Sequence, residues 1–327
     1  MERKAVRSTR LNWTWRRWFS AGTVFATVLL LSWGGVVTSI EAGMAFPDWP
    51  TSLGSYNLIN PTEGWWRVPA YLAEHGHRLI ASLVGMLTVV LAAWTWWADP
   101  RAWMRKLGLA AVALVVAQGI LGGLRVLWVS RDLAMVHACV AQLFFAVLVA
   151  MTLFTTKTWR DRRGILPATG AAQRLRRLSY GAAAVIYLQI VLGALLRHPG
   201  RGLSGGLTAM HTTGAFLVVG IVLAVFVVAE KHFDEVPTIR RTAYVLLGTM
   251  GLQFALGLAT LLLTLYEVSG SGGFVAYVLL TVSHVVVGAL LLGISVVLAL
   301  LASQRRDGAG QRSAAESPKP KLASVES

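Results

Sequence analysis

Apolar runs recur along the chain, at roughly 19–39, 75–97, 107–129, 132–156, 178–197, 205–229, 242–266 and 273–302. As helices rising about 1.5 Å per residue, each would be long enough to cross a hydrocarbon layer of about 30 Å. None holds a proline in its interior, so nothing in the runs breaks a helix. The pattern predicts an all-α membrane protein of eight transmembrane helices. The first run follows the basic stretch MERKAVRSTRLNWTWRRW. It is too long for the apolar core of a secretory signal and reads as a retained first helix.

Composition agrees. Of 327 residues, 55% are apolar and 14% charged, where a soluble domain would carry about a quarter charged. A net charge of +15 would point a soluble protein towards nucleic acid. Here the basic residues follow the topology, and no nucleic-acid partner is expected. The termini and the 2–3, 4–5 and 6–7 connections hold 24 of the 30 Lys and Arg; the others are Arg67, Arg78, Arg125, Arg131, Arg197 and Arg201. Basic residues stay in the cytoplasm, so both termini are expected there. The expected organisation is a cytoplasmic basic N-terminus (1–18), an N-terminal four-helix half (19–156), a basic linker (157–177), a C-terminal half (178–302) and a disordered tail (303–327). The longest external segment, 40–74, carries FPDWP and EGWW, whose tryptophans suit a membrane interface.

A short pattern recurs: QGILGG (Gln118 to Gly123), QIVLGA (Gln189 to Ala194) and QFALGL (Gln253 to Leu258), with SWGG at a comparable depth in span 1. Taken singly, each is explained by close helix packing, since small residues let helices approach and a glutamine can bond a neighbour. The threefold recurrence of Q-x-x-L-G points further, to duplicated helix pairs. It predicts two four-helix bundles related by a pseudo-two-fold axis.

Of seven histidines, His232 and His198 fall in connections, while His75, His77, His137, His211 and His284 lie in or at even-numbered spans. With the N-terminus inside, every even span runs from outside to inside, so these imidazoles occupy the outer half of the bilayer. His284 is deepest, about 16 Å in at 1.5 Å per residue. A lone intramembrane histidine can serve as an interhelical hydrogen bond. Four at equivalent repeat positions point to function. The natural pairs are His77 with His137 and His211 with His284. Zinc takes three or four protein ligands, often with thiolate or carboxylate. Haem needs only one or two axial ligands and fills an apolar helical bundle, so paired imidazoles favour haem. Arg125, Arg131, Arg197 and Arg201 could then hold propionates bidentately, or be ordinary interfacial arginines.

The stretch YLAEHGHRLIAS, residues 71–82, adds more. Glu74, His77 and Arg78 share a helix face, with spacings of three and four residues. Glu74 could simply pair with Arg78. His75 points elsewhere and is expected to be a hydrated interfacial residue. The second half has LTAMH in the equivalent place, without a carboxylate. One half is therefore expected to hold a cofactor and the other to act on its haem. The single cysteine, Cys139, excludes an intrachain disulfide.

EHGHR resembles the E-x-x-H-R signature of the haem A synthase family, and PDWP, the Q-x-x-L-G repeats and the even-helix histidines match that family in order over residues 19–302. The resemblance implies an eight-helix enzyme of the bacterial cytoplasmic membrane. It would oxidise the C8 methyl of substrate haem O to a formyl group, giving haem A for cytochrome oxidase. It further implies that His77 and His137 flank haem O with Glu74 catalytic, that His211 and His284 bind a haem B cofactor, and that Arg78 joins the candidate propionate partners. Haem O synthase and an electron donor that the sequence does not name are the implied partners. Some family members carry paired cysteines in the external loops; this chain does not. A bis-histidine di-haem cytochrome b that only transfers electrons explains the histidine pairs equally, though not the lone Glu74. A transporter with histidine-lined gates is a third reading.

Overall fold

The computed structural model describes residues 2–160 (2–13 as backbone only), 166, 169–197, 205–266 and 271–304. Eight long helices make up nearly all of it: α1 (Glu2–Ser39), α2 (Pro69–Ala98), α3 (Ala102–Leu127), α4 (Arg131–Thr155), α5 (Gly170–Arg197), α6 (Gly205–His232), α7 (Pro237–Leu265) and α8 (Ser271–Ser303). All eight are long and apolar enough to cross a membrane. Among the described residues no strand forms beyond isolated bridging such as Ser52 with Ser55. The tail beyond residue 304 lies outside the described residues.

Every expected span is present, and the helices overrun the apolar runs at most ends because end turns reach into polar surroundings. The largest change that matters for function is in α2. It starts at Pro69 rather than near residue 75. Proline suits a first helical position, where its fixed φ is pre-set and its missing N–H costs nothing. Glu74 and His77 therefore sit inside a formed helix and not at its frayed mouth. At α4, the Ser130 hydroxyl accepts a hydrogen bond from Leu133 N (3.2 Å), an N-cap that fixes where the helix begins.

The packing is cyclic at both ends of the chain. α1 packs on α2 and α4, and α3 on α2 and α4; α5 packs on α6 and α8, and α7 on α6 and α8. Contacts of α1 and α4 with α8, and of α4 with α5, join the two groups. One apolar core, including Val84, Leu91, Met104 and Leu148, lies between α2, α3 and α4. A larger one, including Leu175, Val222, Leu246 and Leu298, lies among α5 to α8. In lipid these contacts stabilise through close packing, because apolar surface gains little by leaving lipid tails.

Charge is buried at the far end of α2 from His77, about 33 Å away at helical rise. Asp99 is fully buried and accepts from Arg16 (2.9 Å) and from Arg101 Nε and Nη2 (2.9 and 2.8 Å). This network ties α1 to the α2–α3 connection. Burial opposes ionisation of Asp99, but the Arg101 hydrogen bonds and the Arg101 and Arg16 charges outweigh it and hold the carboxyl below its ordinary range.

Candidate functional site

The recurring glycines explain themselves once the helices are assembled. Each faces an imidazole on the next helix, and each histidine presents its Cε1 edge. An added Cβ at Gly34 would lie 3.1 Å from His77, at Gly122 3.4 Å from His137, at Gly193 3.0 Å from His211 and at Gly257 2.9 Å from His284. The three Q-x-x-L-G glycines and the first glycine of SWGG are thus slots for histidine rings. The four side chains are half-buried, with the Nδ1 atoms of His77 and His284 turned inward and without a hydrogen-bond partner within the protein, which carries a desolvation cost.

The glutamine of the motif stands one turn before its glycine on the same face, and it holds the same partner helix. Gln118 Nε2 donates to the His137 carbonyl (3.2 Å). Gln189 Nε2 donates to the His211 carbonyl (2.6 Å) and lies 3.1 Å from His211 Nδ1. Gln253 Nε2 lies 3.4 Å from His284 Nε2. Gly214 and Gly288 leave room for the Gln189 and Gln253 amides in turn. In α1 the counterpart is Trp33, whose indole N–H donates to the Ala73 carbonyl (2.8 Å) and whose ring covers Gly76.

The imidazoles converge in pairs. The ring centres of His211 and His284 are 6.3 Å apart, with ring planes at 76°. His77 and His137 are close enough for charge on one to act on the other. An ion held between two imidazole nitrogens at about 2 Å from each would leave the ring centres roughly 6 Å apart. Among the described residues no group of three or more His, Cys, Asp or Glu could hold a metal ion. Two imidazoles suit a metal that brings its remaining ligands with it, as an iron porphyrin does.

The first pair is roofed by the loop between α1 and α2, residues 40–68. Glu74 is 2% exposed. Its Oε2 accepts from Phe46 N (2.9 Å) and its Oε1 from Arg78 Nη2 (2.7 Å). Arg78 also donates to the carbonyls of Asp48 (3.0 Å) and Thr51 (2.8 Å) and to Ser52 Oγ (3.2 Å). Asp48 organises the turn by accepting from the Thr51 hydroxyl and from Leu53 N and Gly54 N (both 2.8 Å). Burial would raise the Asp48 pKa, but these hydrogen bonds outweigh it and leave the carboxyl below its ordinary value.

His75 overturns its expectation. It is 1% exposed, not hydrated. Its Nε2 is 2.8 Å from the Leu58 carbonyl and its Nδ1 3.3 Å from Ser52 Oγ, and its ring packs edge-on to Trp65 at 4.8 Å. The cause is the loop, which folds back over the first turns of α2. Trp65 accordingly packs on His75 and one face of Trp49 lies on Gly123, while Trp66 stays exposed. The only advance sign was the clustering of aromatic and polar residues in 46–66.

The remaining arginines separate. The Arg125 guanidinium lies against Gly43, where an added Cβ would be 3.0 Å from Nη1. Arg197 reaches from α5 to α1, donating to the Gly35 carbonyl (2.7 Å) and Ser39 Oγ (2.6 Å). Arg131 is exposed at the start of α4. Arg201 and His198 lie outside the described residues. Cys139 is buried in α4.

Comparison with known proteins shows which family the chain resembles. A "Heme A synthase" of Geobacillus kaustophilus is 26% identical over 191 residues, 58% of this chain and 58% of that protein. One of Exiguobacterium sibiricum is 30% identical, over 56% of this chain and 59% of its own length. One of Symbiobacterium thermophilum is 29% identical over 253 residues, 70% of this chain and 80% of its own. The chain thus spans little more than half the length of the first two relatives. The profile of the COX15-CtaA family, described as cytochrome oxidase assembly protein, matches residues 17–206, which contain the first histidine pair, Glu74 and the glycine slots of α1, α3 and α5; the chain belongs to this family.

Proposed function

We propose that this protein oxidises the C8 methyl of haem O to a formyl group, producing haem A for cytochrome oxidase. The observation that carries the reading is the pair of glycine-backed imidazole sites with a buried carboxylate beside only one of them. We read the chain as two four-helix halves, 19–156 and 178–302. His77 and His137 would hold substrate haem O in the first, and His211 and His284 would hold a haem B cofactor in the second. The glycine slots, which fix each imidazole, and the 6.3 Å spacing of the second pair support an iron porphyrin in both places. When bound, the haem B supplies a route for electrons.

The chain's own residues do the rest. With water as the oxygen source, converting a methyl to a formyl group is a four-electron oxidation, CH3 + H2O → CHO + 4 H+ + 4 e−, whose electrons pass to an external oxidant such as dioxygen; positive charge develops at the carbon when an electron pair leaves ahead of a proton. Glu74 stands one turn before His77 on the same face, with both oxygens fixed by Phe46 N–H and Arg78. Held this way, it stabilises that charge or aligns a water against the carbon. In a water-poor pocket such a fixed charge contributes several kcal/mol. Arg125 and Arg197 are our choice for propionate partners, since Arg78 already pairs with the Glu74 carboxylate, whereas Arg197 donates to the neutral Gly35 carbonyl and Ser39 hydroxyl. The basic connections support cytoplasmic termini and haem sites toward the external face. Haem O synthase and an electron donor are the expected partners.

Purifying the protein from a host that supplies haem O, extracting the haems and identifying them by mass tests the reading. Haem B together with haem O, a hydroxylated intermediate or haem A is expected. Haem B alone at both sites would replace this reading with an electron-carrying cytochrome b.

A further inference from the structure

The external loop enters the first site at one more point. Trp49 lies on α3 where Gly123 has no side chain, and a Cβ added there would run into the indole. Gly123 directly follows Gly122, the glycine against which His137 packs. Indole and imidazole therefore rest on adjacent faces of one helix, about 100° apart around α3. An indole is rigid and cannot step aside as the tip of a flexible chain can.

The sequence marks the place. After Q-x-x-L-G, the next residue is Gly123 in α3 but Ala194 in α5 and Leu258 in α7. Among the three Q-x-x-L-G motifs the second glycine occurs only in α3, where the loop lands; in α1 the glycine after the slot, Gly35, faces Val282 of α8 instead. The loop itself is held close by, at Phe46 N to Glu74 (2.9 Å) and at Arg78 to the Thr51 carbonyl (2.8 Å). Even so, Trp49 keeps 37% of its surface open. The second site has no comparable length of chain to fold over it: α5 and α6 are joined by residues 198–204, against 40–68 between α1 and α2.

Resting on the reading that His77 and His137 hold the substrate, we propose that Trp49 is a positioning and specificity residue. Seated on Gly123, its indole is the outer apolar wall of the first pocket and retains the flat, apolar substrate macrocycle between the imidazoles. Stacking and burial of an indole face suit this task. Gly123 acts through Trp49, as its seat.

The test compares wild type with Trp49→Phe, Trp49→Ala, Gly123→Ala and the Trp49→Ala/Gly123→Ala double variant. All are produced with ample haem O, and the readout is extracted haem O plus its oxidised products per haem B. Trp49→Ala and Gly123→Ala should each lower that ratio about fivefold or more, with haem B per protein unchanged, while Trp49→Phe stays within about twofold. The double variant should be no worse than Trp49→Ala, because the added Cβ has room once the indole is gone. Such non-additivity marks a direct contact. An unchanged ratio in Trp49→Ala, parallel loss of haem B, or a full extra loss from Gly123→Ala in the Trp49→Ala background would overturn the proposal. A wild-type protein without haem O or its products would instead overturn the functional reading beneath it.

Discussion

The two histidine pairs share one frame and differ in what surrounds it. Around His211 and His284, glutamine amides from α5 and α7 reach ring nitrogens. Around His77 and His137, Trp33 and Gln118 reach only backbone carbonyls. The first site instead has Glu74, Arg78 and a folded loop over it. On the proposed function, the second site orients its imidazoles, while the first closes over its substrate and acts on it.

The largest effect should come from the carboxylate. Glu74→Gln is expected to cut oxidised haem products by about a hundredfold or more, in line with the loss of a single preorganised charged group, with haem O still bound. Thr208→Ala, at the equivalent place three residues before His211, should stay within about twofold in the same assay. A Glu74→Gln enzyme that still makes haem A would remove the distinction between the sites.

The slots themselves come next, and their tightness sets an order. Gly257→Ala, where the added Cβ would meet His284 at 2.9 Å, should be the most damaging, followed by Gly193→Ala at 3.0 Å and Gly34→Ala at 3.1 Å. Overpacking costs about 1–3 kcal/mol, against about 1 kcal/mol gained from alanine's helix propensity. Gly122→Ala, at 3.4 Å from His137, should therefore be neutral or slightly stabilising. Haem content per protein and thermal unfolding in detergent, measured across the series, would show whether that order holds.

A smaller difference should appear in the glutamines. Gln189→Leu is expected to shift the reduction potential of the second haem by about 30–60 mV, the equivalent of one ordinary hydrogen bond. Gln118→Leu, which loses only a backbone contact, should move the first haem by about 10 mV or less. Equal shifts in redox titrations of both variants would mean that the amides act only as helix spacers.

The mildest test concerns the loop and acid. The Asp48 carboxyl is held below its ordinary 3.8, so its stabilising contribution is present above that value and is lost as pH falls through the lower folded-state pKa. Amide exchange at Leu53 and Gly54, corrected for its chemical pH dependence, should keep constant protection down to about pH 4 and lose it several-fold below. In Asp48→Asn that protection should be reduced throughout, and haem at His211 and His284 should be unaffected at neutral pH.

Much of this could be read in the chain. Long apolar runs determine that helices form, because lipid leaves the backbone no other way to satisfy itself locally, and the four imidazoles declared themselves by repeating. The partners of the repeated glycines were not readable, because a missing side chain does not say what fills its space. Nor was the fate of His75. A histidine at the start of an apolar run looks hydrated until a thirty-residue loop of no regular structure folds onto it, and such a loop leaves no periodic trace.

The fastening of that loop has a practical consequence. It is secured by Asp48, Glu74 and Arg78 rather than by sulfur, and the chain's one cysteine is buried in α4. With one cysteine there is no intrachain disulfide for dithiothreitol to cleave, and the roof over the first site is expected to stay in place under reduction.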